Sequence, residues 1–210
     1  IRDYLTKEPT YADIRSVFCG QRPLMKGAGK TAALSRDHQI TVSGSGLISI
    51  TGGKWTTYRR MAEDTVNVAV QRADLPMKPS VTAALPIHGY LEETDFESEL
   101  YYYGTDQEHI LAMVKEEPSL GEQIHDHFPY IKAEIYWAVK EEMCMMIEDF
   151  LARRSRMLFL DAKASAEAAP LVAQLMATLL HKDEAWIRQQ VDAYNLLAKN
   201  YLPTDKSTNV

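Results

Sequence analysis

"SITGGKWTTYRRMAEDTV" (residues 49–66) changes its period in the middle. Up to Gly52, Ile48 and Ile50 alternate with polar neighbours, as in a strand with one buried face. From Lys54 the apolar residues Trp55, Tyr58, Met61, Ala62, Thr65, Val66 and Ala69 recur at helical spacing, opposite Arg59, Arg60, Glu63 and Asn67. Two glycines separate the patterns, so the stretch predicts a strand that turns sharply into a helix reaching about Arg72. Such a junction offers unpaired N–H groups and the positive end of a helix dipole. Glycine lets the chain turn tightly and lets a flat or anionic ligand approach the backbone. Lys54 adds a full charge at the same point, and Thr56 and Thr57 add hydroxyls. A plain turn with a solvated lysine fits the same letters. A G-x-x-x-x-G-K-[ST] phosphate loop does not, because its first glycine is missing.

Working outward, "HQITVS" (38–43) alternates Ile40 and Val42 with polar residues, and "SGSG" (43–46) supplies a hairpin turn. "RSVFCGQ" (15–21) reads as another short strand. "ADLPMKPSVTAALPIHGY" (73–90) holds three prolines and little periodicity, as a linker does. Beyond it the chain reads as helical. "TDQE" (105–108) has the form of a capping box before "HILAMVKEE". Residues 130–160 form one long helix or two that meet near the middle. Residues 165–181 form another, with Pro170 in its first turn or at a kink, and residues 183–201 a last one capped by Asp183. The fold class is α+β, mostly α: the end of a sheet with one helix, then an all-α bundle of four or five helices. The division is residues 1–75, a linker at 76–90, a helical domain at 91–204 and a tail at 205–210.

A length of 210 residues suffices for one or two domains. A net charge of -6 argues against nucleic acid as a partner and leaves room for a local basic pocket that binds a small anion. Cys19 and Cys144 have no metal-ligand spacing and read as free thiols of a reducing compartment. No apolar run approaches the roughly 18 residues of a membrane span, and no signal peptide opens the chain. It begins on Ile1 rather than methionine and reads as a piece of a longer protein.

Further site candidates are basic. In "GQRPL" (20–24), Pro23 restricts Arg22 to extended conformations, which suits a planar guanidinium to bidentate recognition of phosphate or carboxylate. A surface arginine before a turn is the other reading. Arg36 in "LSRDH" either joins Arg22 and Lys54 around a small anionic substrate or pairs with Asp37. His125 and His127 in "HDHFPY" lack a third ligand at diagnostic spacing, so no metal is expected. In "LARRSR" (151–156) the arginines pair with Glu148 and Asp149. "YYY" (101–103), "CMMI" (144–147), Trp137, Phe150 and Leu151 read as packing and core.

The run "CGQRPL…LSRDHQITVSGSGLISITGGKWTTYRRMAED", with "PYIKAEIYWAVKEEM" and "IEDFLARRSRMLFLDAKASAEAAP" beyond it, closely resembles the FAD-dependent, quinone-linked glycerol-3-phosphate dehydrogenases. The resemblance covers about residues 10–200. It implies that Gly52, Gly53, Lys54, Trp55 and Thr56 lie against the pyrimidine side of FAD, where amides and dipole stabilise negative charge. It implies that Arg22, Arg36 and Lys54 surround the substrate, gripping its phosphate and steadying the developing ketone oxygen, with Lys54 catalytic. The parent reaction takes hydride from C2 of sn-glycerol 3-phosphate to FAD and yields dihydroxyacetone phosphate, with electrons passing to a membrane quinone. Residues 1–75 become the truncated end of the FAD/substrate domain, and the helical domain a cap that aids a possible homodimer. The intact parent is expected on the cytoplasmic, inner face of the membrane, attached peripherally. The family's G-x-G-x-x-G fingerprint is absent and its catalytic base lies upstream, so the chain holds half a site and is expected to be inactive alone. Two readings stand beside this one: a glycerol-3-phosphate oxidase that passes electrons to oxygen, and a helical interaction module without catalysis.

Overall fold

The computed structural model describes residues 4, 6–21 and 37–203, so Arg22 and Arg36 lie outside the described residues. The chain divides into two compact units, Gly20–His88 and Ile1–Cys19 with Gly89–Val210.

In the smaller unit, strands β1 (His38–Val42) and β2 (Ile48–Gly52) pair antiparallel. Ile40 faces Ile50 and Val42 faces Ile48, which puts the branched residues on one half-buried side. The Gly46 amide closes the turn on the Ser43 carbonyl at 3.0 Å, with Gly46 in a left-handed conformation (φ 87°). A 3-10 turn over Trp55–Thr57 leads into helix α1 (Tyr58–Arg72). No described residue of this unit is fully buried.

The expected apolar stripe of α1 divides in two. Met61, Thr65 and Ala69 are half-buried, whereas Trp55 is 88% exposed and Tyr58 and Val66 are more than half exposed. Tyr58, Ala62 and Val66 instead line an open groove of about 720 Å³ with Val81, Leu85 and Ile87. The presumed linker is thus folded back along α1, where Thr82 accepts a hydrogen bond from Arg59 at 3.1 Å.

The larger unit holds α2 (Gln107–Glu116), α3 (Lys132–Glu141), α4 (Met157–Leu160), α5 (Ala162–Leu180) and α6 (Glu184–Lys199). Its main core gathers Ile135, Phe150, Leu151, Met157, Val172, Met176 and Tyr194, and a second cluster forms around Leu100, Ile110, Leu120 and Ala133. Asp183 caps α6 through the Trp186 amide at 2.9 Å, as its sequence position indicates. Asp161 does the same for α5 through Ala164 at 3.0 Å, so that helix begins earlier than expected and Pro170 sits in its interior.

Three other expectations fail here for local reasons. The capping box at 105–108 does not form: Gly104 breaks the chain direction (φ 56°, ψ -127°), and the Thr105 amide donates to the Gly89 carbonyl at 3.3 Å. The segment 130–160 takes the two-helix form of its reading, divided near its middle at left-handed Met143 (φ 56°) and resumed by a π-helical turn at Asp149–Arg154, but "CMMI" is not all core. That break turns Met145 and Met146 outward, with their amides on the Asp149 carboxylate at 3.1 and 3.0 Å, so only Cys144 and Ile147 of "CMMI" are core. Finally, residues 15–21 are not a strand. They form a strap whose amide and carbonyl meet helix ends singly, Val17 N–H on the Tyr201 carbonyl (2.7 Å) and Ala162 N–H on the Arg15 carbonyl (3.2 Å). Phe18 packs edge-on against Phe159 at 5.0 Å.

Candidate functional site

The strand–turn–helix junction forms as its letters require. Gly52 (φ 76°) and Gly53 (φ 83°) are both left-handed, a conformation that side chains rarely tolerate. A Cβ on Gly53 would also lie 2.4 Å from Met61 Sδ. Lys54 is extended (φ -131°, ψ 151°) and serves as the cap of the turn. The Thr57 hydroxyl donates to the Lys54 carbonyl at 3.0 Å and accepts from the Lys54 amide at 3.3 Å. Trp55 and Thr56 open the helix, where amides lack intrahelical partners. The Lys54 side chain is exposed and forms no ion pair among the described residues. A positive side chain without a counter-charge, a helix mouth and consecutive glycines suit the edge of a flat, negatively polarised ring.

Beside this junction lies a pair that sequence reasoning missed. His38 is the register partner of Gly52, and its Nε2 is 3.0 Å from Asp64 Oδ2 on α1. Asp64 also meets Arg60 Nε at 3.1 Å. Glu63 takes Arg59 at 2.8 Å and Arg60 at 3.5 Å, so both arginines of "YRR" are engaged within α1. The signal was available: the "SGSG" turn fixes the register, and the register places His38 at the glycines.

The other charged clusters belong to the helical unit. Glu134, 2% exposed, accepts from the Tyr102 and Tyr103 hydroxyls and from the Ile131 amide at 2.7 Å. Burial raises its pKa, opposed by those three hydrogen bonds, and burial beside Glu134 raises both tyrosines. "YYY" therefore binds a buried carboxylate as well as packing. Asp161 meets Arg15 at 3.2 Å and His127 at 3.3 Å. Burial alone would raise its pKa, but the Ala164 amide, His127 and Arg15 together hold it below the usual value. His125 pairs with Glu167 at 3.3 Å. Arg153 pairs with Glu148 and Asp149, at 2.6 and 3.2 Å, and Arg154 with Glu142. The Cys144 thiol is buried and pushed up to about 12, which removes it as a nucleophile. Among the described residues no group of three or more His, Cys, Asp or Glu could hold a metal ion, and no helix is long and apolar enough to cross a membrane.

Residues 38–187 match the family described as the C-terminal domain of alpha-glycerophosphate oxidase. The chain belongs to this family. Its relatives include the mitochondrial glycerol-3-phosphate dehydrogenase of Homo sapiens, 34% identical over 91% of this chain and 30% of that protein. The probable mitochondrial glycerol-3-phosphate dehydrogenase of Caenorhabditis elegans is 36% identical over 91% of this chain and 30% of its own. Among solved structures, the glycerol-3-phosphate dehydrogenase from Bacillus halodurans complexed with FAD aligns with a TM-score of 0.64 at 26% identity. It covers 84% of this chain and 39% of that one. The chain thus spans about a third of the length of the relatives it matches, and both the junction and most of the helical unit lie inside the matched region.

Proposed function

We propose that this chain is the C-terminal portion of a flavoprotein that oxidises sn-glycerol 3-phosphate to dihydroxyacetone phosphate. The smaller unit is then the end of the FAD/substrate domain, and the helical unit its cap. The observation that carries this reading is the junction itself: two left-handed glycines, an exposed lysine without an ion pair among the described residues, and a helix mouth in immediate succession.

FAD, when bound, supplies the acceptor for the hydride that leaves C2. The residues of this chain do the rest of what is assigned to them. The amides at Trp55 and Thr56, with the dipole of α1, favour negative charge at the mouth of the helix. Gly52 and Gly53 keep that approach free of side chains. Lys54 steadies the oxygen at C2 as it becomes a ketone, and Arg22 and Arg36 hold the phosphate as bidentate partners. The proton acceptor belongs to the part of the protein that precedes this chain, so the isolated chain is inactive and binds FAD negligibly. Electrons leave to a membrane quinone, with the full-length protein attached peripherally to the membrane and paired as a homodimer.

Transfer of electrons to oxygen is the second reading, favoured by the description of the matched family as an oxidase domain. The test is the full-length protein with bound FAD, given sn-glycerol 3-phosphate and either a soluble quinone or oxygen alone. Dihydroxyacetone phosphate formed with quinone supports the first reading, and stoichiometric hydrogen peroxide the second. No turnover with either acceptor refutes both.

A further inference from the structure

The smaller unit has a problem of mechanical definition. Its described residues form a two-stranded hairpin, a 3-10 turn and one helix, and none of them is fully buried. Among the described residues the apolar side chains between α1 and the hairpin are only half-buried, so apolar packing alone defines the angle between them weakly. Yet Lys54 and the first amides of the helix sit at the hinge between these two pieces, where small displacements decide whether charge is stabilised.

Two contacts span the hinge. On one side Met61, on the first turn of α1, lies so close over Gly53 that no Cβ fits between them. On the other, His38 at the start of β1 reaches Asp64 on the second turn of α1, Nε2 to Oδ2, at 3.0 Å. His38 is also the register partner of Gly52, and its Cβ is 3.4 Å from where a Gly53 Cβ would stand. The pair therefore ties β1 to α1 across the glycine turn, closing a ring of chain around the junction. Asp64 is held in turn by Arg60 at 3.1 Å. Both side chains are about three-quarters shielded, at 21% and 26% exposure, so this pair is screened less than a free surface pair.

We infer that His38 and Asp64 are positioning residues for Lys54: they fix the angle between hairpin and helix and so aim the lysine and the helix mouth. This rests on the reading of Lys54 given above. Lys54 is assigned to the reacting oxygen, so loss of the pair acts on the chemical step more than on substrate capture.

The test is a mutant cycle in the full-length flavoprotein, with flavin content and hydrogen exchange measured on each variant before kinetics. His38→Ala should speed exchange of the amides over residues 52–58 without altering flavin stoichiometry. It should lower kcat about ten- to a hundredfold, the cost of displacing a catalytic group by about 1 Å, with KM for sn-glycerol 3-phosphate changed by less than about twofold. In a Lys54→Ala background the same substitution should lower kcat clearly less, leaving only the share carried by the helix mouth, because residues that act through one group are not additive. Asp64→Asn, which keeps the shape and removes the charge, should repeat the pattern more mildly and serves if His38→Ala loses its flavin. A kcat loss of equal size in both backgrounds would show a merely structural role, and unchanged kcat and exchange would show no role; either overturns the inference. If Lys54→Ala itself leaves kcat unchanged, it is the underlying reading of the junction that falls.

Discussion

Gly53→Ala isolates the glycine requirement at the junction. At φ 83° an alanine pays a left-handed strain of about 1–2 kcal/mol. Its methyl also lands 2.4 Å from Met61 Sδ and 2.7 Å from Cε. Those atoms are the far end of a flexible side chain, so Met61 can move aside at about 0.5–1.5 kcal/mol for a poorer rotamer. The sum is about 1.5–3.5 kcal/mol, with strain the larger part. Gly44→Ala is the control, since nothing stands within 4 Å of a Cβ there and its φ is not left-handed. Amide exchange of Ile48–Gly52 in the 210-residue chain reads the local opening. With a factor of ten for each 1.4 kcal/mol, Gly53→Ala should accelerate it about tenfold or more, and Gly44→Ala less than about threefold. Adding Met61→Ala to Gly53→Ala should recover only the smaller, steric share. Equal exchange in the two glycine variants would mean that the turn has freedom to rearrange and that the conformation argued for Gly53 is not enforced.

Asp161→Ala removes a helix cap worth about 1 kcal/mol and two ion pairs worth under about 1 kcal/mol each, since Arg15 is 63% exposed. It should lower the Tm of the helical unit clearly more than Arg15→Ala in a thermal scan by circular dichroism; equal losses would contradict the cap. Acid should find the same residue: with its folded pKa below the unfolded value, Asp161 adds stability above the unfolded pKa that disappears as pH falls through the lowered one, and Asp161→Asn should flatten that limb. Glu134 has the opposite sign. Its folded pKa is raised by burial, so its contribution is complete below the ordinary 4.5 and is lost as pH rises through the raised value; urea melts of Glu134→Gln should lack that decline. Titration of FAD into the 210-residue chain should leave flavin fluorescence unquenched at micromolar cofactor, and stoichiometric quenching would place the cofactor's contacts here rather than upstream.

What was legible in the sequence was local. Ile40, Val42, Ile48 and Ile50 carry a period of two, Gly52-Gly53 mark the turn, and the helix after them follows from spacing within a few residues. Asp183 could be read as a cap because its partner is three positions away. The strap at 15–21 could not, because its carboxylate partner Asp161 lies 146 residues further on, and alternation cannot tell a paired strand from an extended segment bound by helix ends. The spacing that predicts α1 is borne out over Tyr58–Arg72, while periodicity reports an apolar face but not how wide a surface covers it. Met145 and Met146 were placed in the core because hydrophobicity was visible while the left-handed turn at Met143 was not. His38–Asp64 escaped because each residue has a plain role in its own segment, and only the hairpin register brings them together.

The most direct test of the central claim is steady-state kinetics of Lys54→Ala in the full-length protein, with bound FAD quantified. If Lys54 steadies the developing ketone oxygen, kcat should fall roughly ten- to a thousandfold, the range for a removed electrostatic stabiliser, while Arg22→Ala mainly raises KM for sn-glycerol 3-phosphate. Wild-type kcat for Lys54→Ala at full flavin occupancy would reduce "GGKWTT" to a turn and contradict the function proposed for it.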